Sequence, residues 1–463
     1  MQPVNRLPPA VLSHIAQDIL NYHYATDASS IIPLTHVCRY WRESIVSTTE
    51  RWALISAKNR SLAALSLKRA ESTPLTIHLY QSSTPGDHPL SGLLIPYTQN
   101  IKAITIRFVP AIELESVLPN FLRAMPNLQS LTFYTWGVKW DPSVDPFEGL
   151  THTLKRLSLS EIPLYPTLLQ LRTLTELYLH YDDFNLHLDT LLDFLEENRS
   201  LKSATINLRY KKPSLRCSQR RTPIENRLQY LEIHCCDAMD AQALISSIAL
   251  SKGAKLEFCT FLPSGVDMRL DDVLSGIPAT HFSNLLPPTF MEYYAYPRII
   301  RLVGPNGSAA FHGVSASDIP FVEFPRLPLT NVRRLHLEIR GWFKKIRPPT
   351  VFHHLSLFPA LEMFIIRCDV DLPQLLSPLF SNTSPSPSLK ALAFLDCIIA
   401  EGFMEELTQF ASDRKSTTSA RLHSVVILHR EGKFPSIASI RKLREHVPVV
   451  DVRIAKELPT ELT

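Results

Sequence analysis

Two patterns of apolar positions divide the chain. Over residues 7–52 apolar side chains recur at helical steps. Val11, Leu12, Ile15 and Ile19 follow Pro8 and Pro9; Leu34, Val37, Cys38, Trp41 and Ile45 follow Ser29, Ser30 and Pro33. Steps of three and four place such residues on one helix face. Proline in a first helical turn loses no hydrogen bond, and serine caps the exposed N–H groups. This stretch predicts a bundle of two or three short helices, too small to bury all of its apolar surface. From about residue 73 the pattern changes to short alternations of the form L-x-x-L-x-L. Copies begin at Ile101, Leu128, Leu154, Leu174, Leu201 and Leu228, and again at Val332, Leu361, Leu389 and Leu422. Apolar and polar residues alternate in the second half of each copy, which predicts a strand with one buried face.

Successive copies start 27, 26, 20, 27 and 27 residues apart in the first group and 29, 28 and 33 apart in the second. These periods cluster around the roughly 20–29 residues of leucine-rich repeats. One such unit cannot bury its apolar face alone. Stacked units share a continuous core, and their strands pair into a curved parallel sheet. Between strands lie returns such as 113–127 and 188–200, the second with Leu188, Leu191, Leu192 and Leu195 on one helical face. Residues 235–330 carry no clean copy; RIIRLV (298–303) and the turn after it predict a hairpin-like insertion or degenerate repeats. The competing reading is an ordinary α/β domain with leucine-rich strands, against which ten similarly spaced copies stand.

The polar residues of each strand line the sheet face that carries no leucine. They are Thr105 and Arg107, Thr132 and Tyr134, Ser158 and Ser160, Tyr178 and His180, Thr205 and Asn207, Glu232 and His234, then His336 and Glu338. No single charge sign dominates this face, which suits a protein or peptide. The candidate target-binding residues are Arg107, Tyr134, Tyr178, His180, Asn207, Glu232, His234 and His336.

Composition narrows the function classes. The net charge is only +4 over 463 residues, too little to make nucleic acid or an anionic membrane the main partner. Thirteen glycines and no P-loop pattern argue against phosphate-cradling loops. Seven cysteines without a C-x-x-C pair read as reduced thiols, and no signal peptide or membrane span is expected; the expected location is cytoplasm or nucleus. His353–His354, and His234 beside Cys235–Cys236, lack zinc-site spacing along the chain, so no metal or cofactor is expected. The basic run 209–221 fits a solvated loop or an acidic-partner patch.

The N-terminal residues resemble an F-box. Leu7-Pro8, the apolar helix behind them, Val37-Cys38-Arg39-Tyr40-Trp41-Arg42 and the closing Trp52 match the family pattern; Ala10 stands where an acidic residue is usual. The whole chain is similar to fungal F-box proteins with a C-terminal leucine-rich-repeat-like region. The resemblance implies an α/β chain with a three-helix F-box at 1–56, a linker at 57–72 and a curved repeat solenoid with a parallel sheet at 73–463. It implies a non-catalytic substrate adaptor of an SCF-type ubiquitin ligase. A Skp-type adaptor, and through it the cullin core, would bind at Leu7, Pro8, Val11, Leu12, Ile15, Leu34, Val37, Trp41 and Trp52. The repeats would hold a target protein. The rivals are a repeat scaffold working outside a ligase, its N-terminal helices serving as a cap, and a hydrolase within 235–330, for which no nucleophile–base motif appears.

Overall fold

The computed structural model describes residues 7–22, 28–56, 58–80, 90–107, 122–134, 145, 147–148, 150, 153–181, 188–208, 224–225, 227–235, 238–251, 253–260, 290–295, 298–304, 307–312, 329–339, 358–368, 387–397, 399, 401–416, 421–429 and 435–454. The basic run 209–221 and the His353–His354 pair lie outside them, as do Cys236 and most of the return at 113–127. The chain forms two compact units, Met1–Gln219 and Arg220–Thr463.

The first unit opens with α1 (Pro9–Tyr22), a 3-10 segment (Ala28–His36), α2 (Arg39–Val46) and a second 3-10 turn (Thr49–Trp52). The middle helix is 3-10 rather than α; Pro33 sits inside it and has no N–H to give an α-helical ladder. Strand β1 (Leu54–Ser56) and α3 (Arg60–Ala70) follow. Residues 57–72, expected as a linker, therefore carry a packed helix, with Ala63, Leu67 and Ala70 buried and Asn59 capping it through Leu62 N–H. Next come β2 (Leu75–Tyr80), a short α4 (Leu90–Leu94), β3 (Ile101–Arg107), β4 (Ser130–Tyr134), β5 (Arg156–Ser160), β6 (Glu176–Tyr181), α5 (Leu188–Glu197) and β7 (Ser203–Leu208). Strands β1 to β7 pair in chain order, each parallel to the next.

The second unit contains β8 (Ile224–Glu225), β9 (Tyr230–Cys235), α6 (Ala238–Ser247), β10 (Ile248–Ala249), β11 (Lys255–Thr260), β12 (Phe290–Ala295), β13 (Arg298–Gly304) and β14 (Gly307–His312). It continues with β15 (Arg334–Ile339), β16 (Met363–Cys368), β17 (Ala391–Cys397), α7 (Glu401–Ser416), β18 (Ser424–His429), α8 (Ile437–Arg444) and β19 (Val449–Ile454). Strand β9 runs parallel to β11, and β11 to β14. Strand β13 lies antiparallel between β14 and β12, and β12 then pairs parallel with β15. From β15 to β19 every step is parallel and in chain order. The expected hairpin at 298–303 is thus part of a three-strand meander built into the parallel ladder. The small β8–β10 pair stands apart from that ladder.

All ten L-x-x-L-x-L copies form strands, and every one of their three apolar positions is 3% exposed or less. Burying a leucine-sized side chain stabilises by about 2 kcal/mol, so within each unit these positions dominate the core. Behind the sheet, α5 buries Leu188, Leu191, Leu192, Phe194 and Leu195, as its 3.6-residue stripe requires. A second bond type ties the repeats together. The residue just before each of the first five copies donates a side-chain hydrogen bond to a carbonyl of the preceding turn of chain. Asn100 bonds Glu71 O, Asn127 bonds Gln99 O, Thr153 bonds Pro126 O and Leu128 O, Thr173 bonds Leu154 O, and Ser200 bonds Arg172 O and Leu174 O.

Candidate interaction site

The N-terminal helices are held by bonds that explain their motif residues. The Cys38 Sγ caps α2, accepting the Trp41 N–H at 3.5 Å. The Tyr40 hydroxyl donates to Leu7 O at 2.9 Å and fixes the approach of Leu7-Pro8 to α2. Arg42 Nε donates to Thr35 O at 2.9 Å, closing the turn between the 3-10 segment and α2. Trp52 Nε1 donates to Ile45 O, and the Arg69 guanidinium lies 4.3 Å over the Trp52 ring, tying the bundle to α3. The Arg39–Glu43 pair is exposed and contributes little.

These bonds sort the nine residues of the expected adaptor-binding set. Leu12, Trp41 and Trp52 are buried, Trp41 at 7% exposure, and form the bundle core together with Ala16 and Ile45. Leu7, Ile15 and Leu34 are half-buried, while Pro8, Val11 and Val37 face solvent. Trp41 therefore cannot serve as a directly presented anchor in this conformation. The apolar area available to a partner comes from Pro8, Val11 and Val37, at 39% and 49% exposure for the two valines.

On the sheet of the first unit, strand register gathers the polar residues into two rows. One row runs Thr105, Thr132, Ser158, Tyr178, Thr205; the other runs Arg107, Tyr134, Ser160, His180, Asn207. Arg107 and Tyr178 are exposed, and Tyr134 is half-buried. His180 and Asn207 are buried, although each lies on the face opposite the leucines. The His180 ring stacks parallel to Tyr178 with centroids 6.5 Å apart and lies 6.3 Å from Tyr134. The Asn207 Oδ1 is buried without a hydrogen-bond donor among the described residues. This corner combines an aromatic-imidazole cluster with an amide acceptor, a surface able to take a side chain or a peptide backbone.

The remaining expected target-binding residues, Glu232, His234 and His336, belong to the second unit and are half-buried. Glu232 and His234 are bonded to each other, Oε1 to Nε2 at 2.7 Å. Register places Tyr230, Glu232 and His234 beside Lys255, Glu257 and Cys259 of β11. Tyr230 donates to Glu257 Oε2 at 2.9 Å; burial, that bond and the nearby carboxylates push its phenol well above the ordinary range. Burial first, then Glu232 and Glu257, push the Cys259 thiol up to about 12. Strand β11 was not expected, because it lacks the leading leucine of the repeat. Its alternation of Lys255, Glu257 and Cys259 with Leu256 and Phe258 was the available signal.

Toward the end of the second unit the polar face changes character. Strands β16 to β18 carry apolar residues on both faces, and Ile365, Ala393, Leu395 and Leu428 form a buried cluster on the face expected to be polar. The alternation was legible there only on the leucine side. Beside the cluster, Arg367 bonds Asp396 Oδ2 at 2.6 Å and lies 3.9 Å from Glu338. Asp396 sits at a bulge of β17 with φ 54°, which turns its carboxylate toward that arginine and lets Cys397 resume the buried register. Cys397 packs there, its Sγ 3.1 Å from Leu395 O. Cys38, Cys235, Cys259 and Cys397 are thiols outside any disulfide. Among the described residues, no helix is long and apolar enough to cross a membrane.

No protein-family model matches the chain, and no curated protein matches it in sequence. Among solved structures it is similar to a leucine-rich-repeat protein of Leptospira interrogans. The two share 11% identity over 86% of this chain and 93% of that one, with a TM-score of 0.24. At that score the likeness carries no argument; the repeat reading rests on this chain's own period, parallel register and buried leucine positions.

Proposed function

We propose that this chain is a substrate-receptor subunit of an SCF-type ubiquitin ligase, with no catalytic residues of its own. Its N-terminal helices dock on a Skp-type adaptor, and its repeat strands hold a target protein for ubiquitin transfer by other subunits. The observation that carries the reading is the state of the helical bundle. Leu7-Pro8 and Val37-Cys38-x-x-Trp41 are joined by the Tyr40–Leu7 bond and the Cys38 cap, and Pro8, Val11 and Val37 stay exposed. Apolar side chains left outside such a bundle are contact area for a partner. The chemistry supplied is proximity, which the long sheet with its mixed polar face serves by tethering the target.

Co-purification tests it. The full chain should retain a Skp-type adaptor, and the Val11→Glu/Val37→Glu variant should lose it while folding normally. Equal retention by both, or none by either, contradicts the reading. A second reading is favoured by Trp52, buried between the bundle, β1 and α3: the helices act as the polar cap that a solenoid end needs, and the protein is an interaction scaffold outside any ligase. It predicts that deleting residues 1–48 lowers stability without any adaptor ever binding.

A further inference from the structure

We propose that Glu232, His234 and Cys259 form a zinc-binding site bridging β9 and β11. Each offers one ligand atom, and these atoms lie within 4.8 Å of one another. Tetrahedral zinc with nitrogen, oxygen and sulfur ligands needs donor separations of about 3.5 Å, within reach by rotamer adjustment at half-buried side chains. The backbone register sets His234 beside Cys259, so two neighbouring strands deliver the imidazole and the thiol to one row. The donor set suits zinc: one thiolate and imidazole nitrogen select a borderline-soft cation over calcium or magnesium.

The surroundings also fit a dication. Glu257 lies one residue pair back on β11, opposite Glu232, and brings a second carboxylate to the same face. Zinc takes the thiolate as its ligand, so binding releases the Cys259 proton. Sequence spacing along one strand hid the site, because the thiol comes from the neighbouring strand. The location is where regular repeats give way to the β12–β14 meander, and a metal joining β9 to β11 would clamp the ladder just before it.

Cobalt(II) is the direct probe. The full chain, stripped with chelator, should bind one equivalent of cobalt with a thiolate-to-metal charge-transfer absorption that zinc displaces. Cys259→Ser should abolish the band, His234→Ala should weaken binding at least ten-fold, and Cys38→Ser should leave it intact. No band in the wild-type chain, or a band that survives Cys259→Ser, overturns the proposal. A measurement on the unmodified chain guards against variants that fail to fold. Zinc should slow alkylation of Cys259 at least ten-fold while leaving Cys38 reactive, as read by peptide mass spectrometry; equal alkylation of Cys259 with and without zinc overturns it.

Discussion

The Arg414 guanidinium donates from Nη2 to the carbonyl of Leu389 at 2.9 Å, and also to Pro387 O. In the first unit Thr153 makes the same pair of bonds, to Leu128 O and Pro126 O. Two unlike side chains, one from the head of a strand motif and one from a helix, thus satisfy the same carbonyls of a repeat. Arg414 is buried over the Phe410 ring, and burial lowers its pKa from the ordinary arginine value. Arg414→Met should shift the denaturant midpoint by an amount equivalent to about 2 kcal/mol, the cost of leaving buried carbonyls without a donor. Thr153→Val should cost about 1 kcal/mol. An unchanged midpoint in both variants would show that the inter-repeat bonds add nothing to stability.

The shared core makes a separate prediction. Leu192 on α5 is 1% exposed and packs among the other leucines of that helix. Leu192→Ala should destabilise by about 3 kcal/mol through lost transfer energy and a residual cavity. Leu192→Met conserves volume and should cost under about 1.5 kcal/mol. Thermal unfolding followed by circular dichroism separates the two; equal losses would mean that α5 does not seal the core.

Burial splits the motif residues of the N-terminal bundle into two experimental classes. Trp41→Ala should cost about 3–5 kcal/mol of folding stability, as for other buried aromatics. Val37→Glu lies on the surface and should leave stability within about 0.5 kcal/mol while removing adaptor binding. Adaptor affinity and chemical denaturation measured side by side decide it. If Val37→Glu binds normally, the exposed face of this bundle is not the dock.

On the sheet of the first unit, Arg107 and Tyr178 are the exposed members of the two polar rows. The double variant Arg107→Ala/Tyr178→Ala should lose the proteins that co-purify with the full chain, with unchanged unfolding midpoint. Hot-spot losses at such aromatic and arginine anchors run to about 2 kcal/mol or more, a fall in occupancy that quantitative mass spectrometry resolves. Retention of the same proteins would move the target site off this face. Truncation at residue 73 is a poor substitute for this experiment, because β1 pairs with β2 and α3 packs ahead of it.

How much of this was legible in the sequence follows from which forces leave a periodic trace. The ten repeat strands and the α5 stripe were readable, since burial acts on every second or every third-to-fourth residue. Strands β1, β11 and β12 were missed because they lack the leading leucine; β2 has Leu75 beside Ile101, but a register shift leaves only Thr76 between it and Ile77, and Val449–Ile454 uses valines at positions where other copies carry leucine. The Asn100–Asn127–Thr153–Thr173–Ser200 bonds left no legible signal, because a lone polar residue before an apolar run is common in loops. The Glu232, His234 and Cys259 cluster escaped for a different reason: it forms across a strand pairing, and register is not written in linear spacing.

The adaptor-docking claim is tested most directly by hydrogen exchange of the full chain with and without a Skp-type adaptor. Docking through the exposed bundle face predicts added protection over residues 7–20 and 31–46 and none on strands β3 to β7. Protection confined to the sheet, or no change at saturating adaptor, would contradict it.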